Sequence, residues 1–163
     1  MTDQSSIVEK AYAKVNLTLE ILGKRRDGYH DLVSVMQTVN LFDTVTLSEA
    51  DSIVVECDDS DIDVDDNLAT KAAIELKNRA GISDGAKISV AKRIPVSAGL
   101  GGGSADAAAT LRGLNYLWNL GLSDDDLLET AASVGSDVPF LIKGGTALVG
   151  GRGEEVIPIP SAR

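Results

Sequence analysis

The sequence predicts an α+β domain, and three observations carry that prediction. Its first sixty residues alternate apolar and polar side chains in short runs, as the strands of a half-buried sheet do. Three later stretches instead set their apolar residues at helical spacing. Between these helical stretches a strand runs through Pro95 into the glycine run Gly99-Leu100-Gly101-Gly102-Gly103, and an alanine-rich helix follows at once.

In chain order, Ile7 to Ile21 reads as extended. Val15, Leu17, Leu19 and Ile21 fall on one face, and Lys14, Asn16, Thr18 and Glu20 on the other. A lysine and an asparagine side by side on a strand can reach an anionic ligand; a solvated polar face gives the same pattern. Gly23-Lys24-Arg25-Arg26-Asp27-Gly28 is a basic turn. Tyr29 and the one histidine, His30, follow. A single histidine builds no metal site of its own, which leaves a base, a ligand contact or a surface residue. Val33, Val35 and Val39 predict a second strand, Val45-Thr46-Leu47 a third and Ile53 to Cys57 a fourth, so an antiparallel sheet opens the domain.

Asp58 to Asp66 holds six aspartates in nine residues. A calcium loop counted from Asp61 needs glycine at its sixth place and glutamate at its twelfth; Asp66 and Ala72 stand there, so an open acidic loop is expected. Asn67 is placed to cap a helix from Leu68 to Ala80, stopped by Gly81. In the strand from Lys87 to Ile94, Lys92 is the one charge on a face shared with Ile88, Val90 and Ile94. Past the glycines, Ser104 reads as an N-cap, and Ala107, Leu111, Leu114 and Trp118 form the buried stripe of the next helix. Ser123-Asp124-Asp125-Asp126 is a capping box that opens a helix burying Leu127, Ala131 and Val134. Asp137 lies in a loop before the apolar Val138-Pro139-Phe140, Thr146 to Val149 is a last strand, and Ile157 to Pro160 an extended tail.

The glycine run carries the chemistry. Glycines let backbone N–H groups approach a ligand, and a helix start adds unpaired donors and about half a positive charge, so the corner suits an anion, phosphate above all. It is not a Walker A loop, because Gly103 is followed by Ser104 with no lysine. Nor is it a good dinucleotide fingerprint, which needs glycine or alanine where Ser104 stands. The net charge of −10 argues against general nucleic-acid or anionic-membrane binding. The single cysteine, Cys57, excludes an internal disulfide. Met1 to Lys10 has no apolar signal segment, so a cytoplasmic setting is expected.

Pro95 through Ser104 spells Pro-x-x-x-Gly-Leu-Gly-Gly-Gly-Ser, which resembles the phosphate loop of the GHMP small-molecule kinases. Further pieces occur in order: Ala13 to Leu17, Arg26 to His30, Asp66-Asn67-Leu68, Lys92 to Pro95 and Gly135 to Pro139. Together they are similar to one branch, the 4-diphosphocytidyl-2-C-methyl-D-erythritol kinases of non-mevalonate isoprenoid synthesis. The resemblance implies ATP-dependent phosphorylation of a hydroxyl, the 2-hydroxyl of the methylerythritol part, with ATP as its magnesium complex. By motif, Asp137 and Lys14 are catalytic. Pro95, Val96, Ser97, Ala98, Gly99, Leu100, Gly101, Gly102, Gly103, Ser104 and Ala105 hold the triphosphate, with Ser104 a candidate magnesium contact. Asn67, Leu68 and Lys92 lie near the nucleotide, and Asn16, Tyr29 and His30 bind the cytidine diphosphate substrate. The implied fold is a GHMP kinase N-terminal domain: a ribosomal-protein-like, mostly antiparallel sheet with helices on one face and a left-handed βαβ crossover. Ala105 departs from the pattern, standing where many relatives have a second serine. The family is longer than this chain, so residues 1–163 are expected to be the N-terminal domain alone, with a missing C-terminal partner domain and a tendency to self-associate.

Overall fold

The computed structural model describes residues 6–59 and 67–161. Most of the acidic run, from Ser60 to Asp66, lies outside the described residues, as do the first five positions and the last two.

Two long strands dominate. Strand β1, Ile7–Lys24, and β2, His30–Ala50, form an antiparallel hairpin closed by the basic turn. The second edge of β2 is divided. Its first part, Ser34 to Gln37, pairs with β5, Thr146–Gly150, and its last part, Thr44 to Ala50, pairs with β4, Gly85–Ala91. Strand β3, Ile53–Cys57, lies parallel to β4, and β6, Glu155–Pro158, closes the far side against β5. The other pairings are antiparallel, in the order β3-β4-β2-β5-β6 with β1 on β2. The predicted extended tail is thus in part a strand.

Helix α1, Leu68–Ala80, connects β3 to its parallel neighbour β4. The side chain of Asn67 accepts from the Ala69 N–H, and Gly81 ends the helix at φ 64, as the capping pattern predicts. Helix α2, Gly102–Leu117, lies across β1 and β2, while α3, Asp124–Val134, and α4, Val138–Lys143, pack beside it. One sheet face is covered: Val55, Val149 and Ser34 are buried, and their neighbours Val54, Leu148 and Val33 are exposed. The core beneath the helices is aliphatic, centred on Leu47, Leu76, Ile88, Leu111 and Leu114, with Phe140 its largest member. No helix among the described residues is long and apolar enough to cross a membrane.

Two expectations need correction. The second and third predicted strands are one. Asp43 does not break β2, because its carboxylate is buried and accepts hydrogen bonds from the Arg93 and Ile94 N–H groups across the gap between β4 and β5. Leu17, Leu19 and Ile21 are not core; each is more than half exposed. A register shift between Tyr12 and Lys14 changes the parity of β1. Ala11, Ala13, Lys14 and Asn16 lie under the helices, a second shift between Asn16 and Thr18 sets Leu19 opposite the buried Ser34, and from Leu17 to Lys24 the strand is exposed on both faces. The apolar segment after Asp137 is a short helix, Val138 to Lys143, with Pro139 in its first turn, where a missing N–H costs nothing.

Candidate functional site

The phosphate-loop corner is built by backbone geometry. Helix α2 is capped by Gly101 at φ 70, not by Ser104. Glycine enters that left-handed conformation without strain, and its place there leaves no capping side chain. The first N–H with an intrahelical partner is Ala105, which donates to the Gly101 carbonyl at 2.8 Å. The N–H groups of Gly102, Gly103 and Ser104 therefore have no carbonyl one turn back and stand at the positive end of the helix. Ala105, 1% exposed, closes the turn from inside and does not line the mouth. Pro95 to Gly99 are exposed along the loop leading in.

Lys14 and Asp137, far apart in the chain, meet at this mouth. The Lys14 backbone N–H donates to the Leu100 carbonyl at 2.9 Å, stitching β1 to the loop. A Cβ on Gly101 would lie 3.0 Å from Lys14 Cγ, so only glycine lets the lysine stem pass. The Lys14 ammonium reaches Asp137 Oδ2 at 3.2 Å and donates to Asn16 Oδ1 at 2.7 Å. Asn16 in turn donates to Ser34 Oγ at 2.9 Å, and Ser34 donates to the Thr18 carbonyl at 2.6 Å, which fixes the amide's orientation. Asp137 precedes α4, and its side chain makes no capping bond. Its carboxylate, 29% exposed, is left facing the lysine and solvent. Ser104 Oγ lies 4.0 Å from where a Cβ on Gly135 would stand, two residues before Asp137. A hydroxyl, a carboxylate, an ammonium and a row of free N–H donors thus share one opening.

Lys92 turns the other way. Its ammonium is 2.6 Å from Asp43 and 2.7 Å from Asp106, with all three side chains at most 7% exposed. It lies beneath Gly102, 3.2 Å from where that residue's Cβ would be. Burial alone would lower its pKa; the two carboxylates overcome that and raise it. Burial pushes the Asp106 carboxyl up to about 7 against the pull of Lys92. This cluster ties the loop's entry, through Asp43, to its exit helix, through Asp106. Asn67 is likewise spent, 6% exposed with its side chain on the Ala69 N–H, while Leu68 packs toward Gly103 and Gly135.

Tyr29 and His30 lie apart from this corner, exposed at the turn end of β2. The Tyr29 ring has a partner that pattern reading missed: the Arg152 guanidinium sits over it, 4.8 Å from its centroid. Asp43 and Asp106 were missed as well, although each is a lone acid among apolar neighbours, the one signal available.

The comparisons with known proteins fall on this geometry. Residues 67–145 match the family model described as GHMP kinases N terminal domain. The chain carries a GHMP kinase N-terminal domain. The chain is 51% identical, over 90% of its length, to the 4-diphosphocytidyl-2-C-methyl-D-erythritol kinase of Caldanaerobacter subterraneus subsp. tengcongensis, and covers 52% of that protein. It is 53% identical, again over 90%, to the protein of the same name from Brevibacillus brevis, covering 51% of it. A crystal structure of 4-(cytidine 5'-diphospho)-2C-methyl-D-erythritol kinase superposes on 94% of the chain with a TM-score of 0.79 at 36% identity, over 55% of that structure. The chain spans about half the length of the curated relatives it matches.

Proposed function

We propose that this domain is the nucleotide-binding and catalytic part of a cytoplasmic small-molecule kinase, with residues 1–163 its N-terminal domain and the rest of the active cleft supplied by a second domain. The reaction moves the γ-phosphoryl group of ATP to the 2-hydroxyl of 4-diphosphocytidyl-2-C-methyl-D-erythritol, a step of isoprenoid synthesis. The observation that carries this reading is the Lys14–Asp137 pair, 3.2 Å apart, at the open end of α2. The crossover β3-α1-β4 would be the left-handed unit of the family fold.

Phosphoryl transfer asks a protein mainly for positioning and charge stabilisation. The free N–H groups of Gly102, Gly103 and Ser104 receive phosphate oxygens in this reading. Asp137 accepts the hydrogen bond of the substrate hydroxyl, aims its oxygen at the γ-phosphorus and takes its proton as the bond forms. Lys14 lowers that hydroxyl's pKa and meets the negative charge developing on the transferred group. Asn16 holds the lysine in line, and Tyr29 and His30 hold the cytosine. The hard oxygen donors Ser104 and Asp137 at one opening fit magnesium. Bound there with the nucleotide, the ion would neutralise phosphate charge.

The test is ATP-dependent phosphorylation of 4-diphosphocytidyl-2-C-methyl-D-erythritol by the 163-residue chain, with Asp137→Asn beside it and ATP binding measured on both. Turnover lost in the variant supports the whole reading. ATP binding without turnover supports a nucleotide-binding half that needs its second domain. The absence of both ATP binding and turnover overturns the phosphate-loop assignment.

A further inference from the structure

We propose that Arg152 is the residue that grips the diphosphate of a nucleoside-diphosphate substrate, an inference that rests on the kinase reading above. Arg152 occupies the β5–β6 turn, Gly150 to Glu155, and that turn is held from two sides. On one side the Gly151 carbonyl accepts from the Leu32 N–H at 2.8 Å, which docks the turn beside Tyr29 and His30. On the other, Gly153 at φ 125 packs so closely that a Cβ would stand 2.5 Å from the Ser136 carbonyl oxygen. Ser136 adjoins Asp137. Arg152 is therefore fixed between the aromatic ring proposed to hold the base and the carboxylate proposed to hold the reacting hydroxyl. In a cytidine diphosphate ester, the ribose and the diphosphate lie between those two ends, and the diphosphate carries the charge.

The guanidinium is suited to that part. Among the described residues it makes no ion pair, although Arg25 nearby is bridged to both Asp27 and Asp31. The adjacent Glu154 carboxylate is occupied by the Arg152 backbone N–H at 2.8 Å. The guanidinium lies over Tyr29, its charge reaches Asp27 without an ion pair, and its planar fork of donors matches two phosphate oxygens. Arg152 is half-buried, so its charge is only partly screened.

The experiment titrates the full chain with cytidine 5'-diphosphate and, separately, cytidine. A saturating non-hydrolysable ATP analogue fills the phosphate loop throughout, so that the diphosphate reports on the second site. Arg152→Ala should weaken cytidine 5'-diphosphate binding about 10- to 100-fold, the loss of a charged hydrogen-bonding partner, and leave cytidine within about twofold. Arg152→Lys should restore part of the lost affinity. Equal losses for both ligands would show that Arg152 merely orders Tyr29, and unchanged diphosphate affinity would show no contact; either overturns the proposal with the kinase reading intact. Failure of the wild-type chain to bind the diphosphate while it binds the ATP analogue overturns the proposal and the cytidine assignment together. Failure to bind the analogue overturns the phosphate loop itself.

Discussion

Two lysine–aspartate groupings lie on opposite sides of the same glycine loop, and they differ in what surrounds them. At the mouth, Lys14 meets Asp137 at 3.2 Å with the carboxylate 29% exposed. Beneath the loop, Lys92 is wedged between Asp43 and Asp106, both at most 3% exposed. The outer pair keeps contact with solvent through Asp137, although its lysine is only 9% exposed, so a ligand can replace one partner from the open side. The inner cluster has no water to fall back on, so each charge depends on the others. Residue type alone does not separate a reactive pair from a structural one; access does.

Substitution at the two lysines tests that contrast directly, with the largest effect inside. Lys92→Met leaves two carboxylates buried without a cation, and a loss of about 3–5 kcal/mol is expected in urea unfolding, a large share of a domain's stability. Lys14→Met leaves Asp137 the water it already touches but takes the donor from Asn16 Oδ1, so a smaller loss of about 1–2 kcal/mol is expected. In a form that turns over, the same variant should lose roughly 10²–10³-fold in rate, because a charge aimed at the transferred group is gone. Equal stability losses in the two variants would erase the distinction.

Much of this arrangement was legible in the sequence. Capping chemistry is local, so Asn67, Gly81 and Ser123 marked helix ends that the structure keeps. The meeting of Lys14 and Asp137 at Gly101 followed from motif resemblance, not from periodicity. Periodicity failed where tertiary packing overrode it. Register shifts after Tyr12 and after Asn16 interrupt the alternation of β1, and no local signal in Lys14 to Ile21 announces them. The two strands predicted either side of Asp43 are one because its carboxylate finds partners, the Arg93 and Ile94 N–H groups, about fifty residues on. Ser104 looked like a cap because serine favours that place; the left-handed Gly101 claimed it instead.

The glycines sharpen the comparison at intermediate size. Gly101→Ala forces a side chain into φ 70 and against the Lys14 stem, at a cost of about 1–2 kcal/mol for the conformation alone. It should also weaken ATP binding by shifting Lys14. Gly103→Ala, whose Cβ would meet nothing closer than Leu68 at 3.8 Å, should leave stability nearly unchanged. Similar stability changes in the two variants would mean that the loop is not fixed by the outer lysine.

The smallest effect concerns protons in the inner cluster. Three ionised groups there would carry one net negative charge; a proton on Asp106 removes it. With its carboxyl raised by burial to about 7 from 3.8, the folded chain binds a proton that the unfolded chain has released. Between those values the folded state holds more protons, so stability must fall as pH rises. That contribution is complete below the unfolded value and is gone once pH passes the folded one. From pH 6 to pH 8 the expected loss is about 1 kcal/mol, read as a fall in urea midpoint. Asp106→Asn, neutral throughout, should flatten that slope and leave the rest of the pH profile in place. A slope that survives the substitution would place the proton elsewhere, and the inner cluster would then be ionised throughout, differing from the outer pair in burial alone.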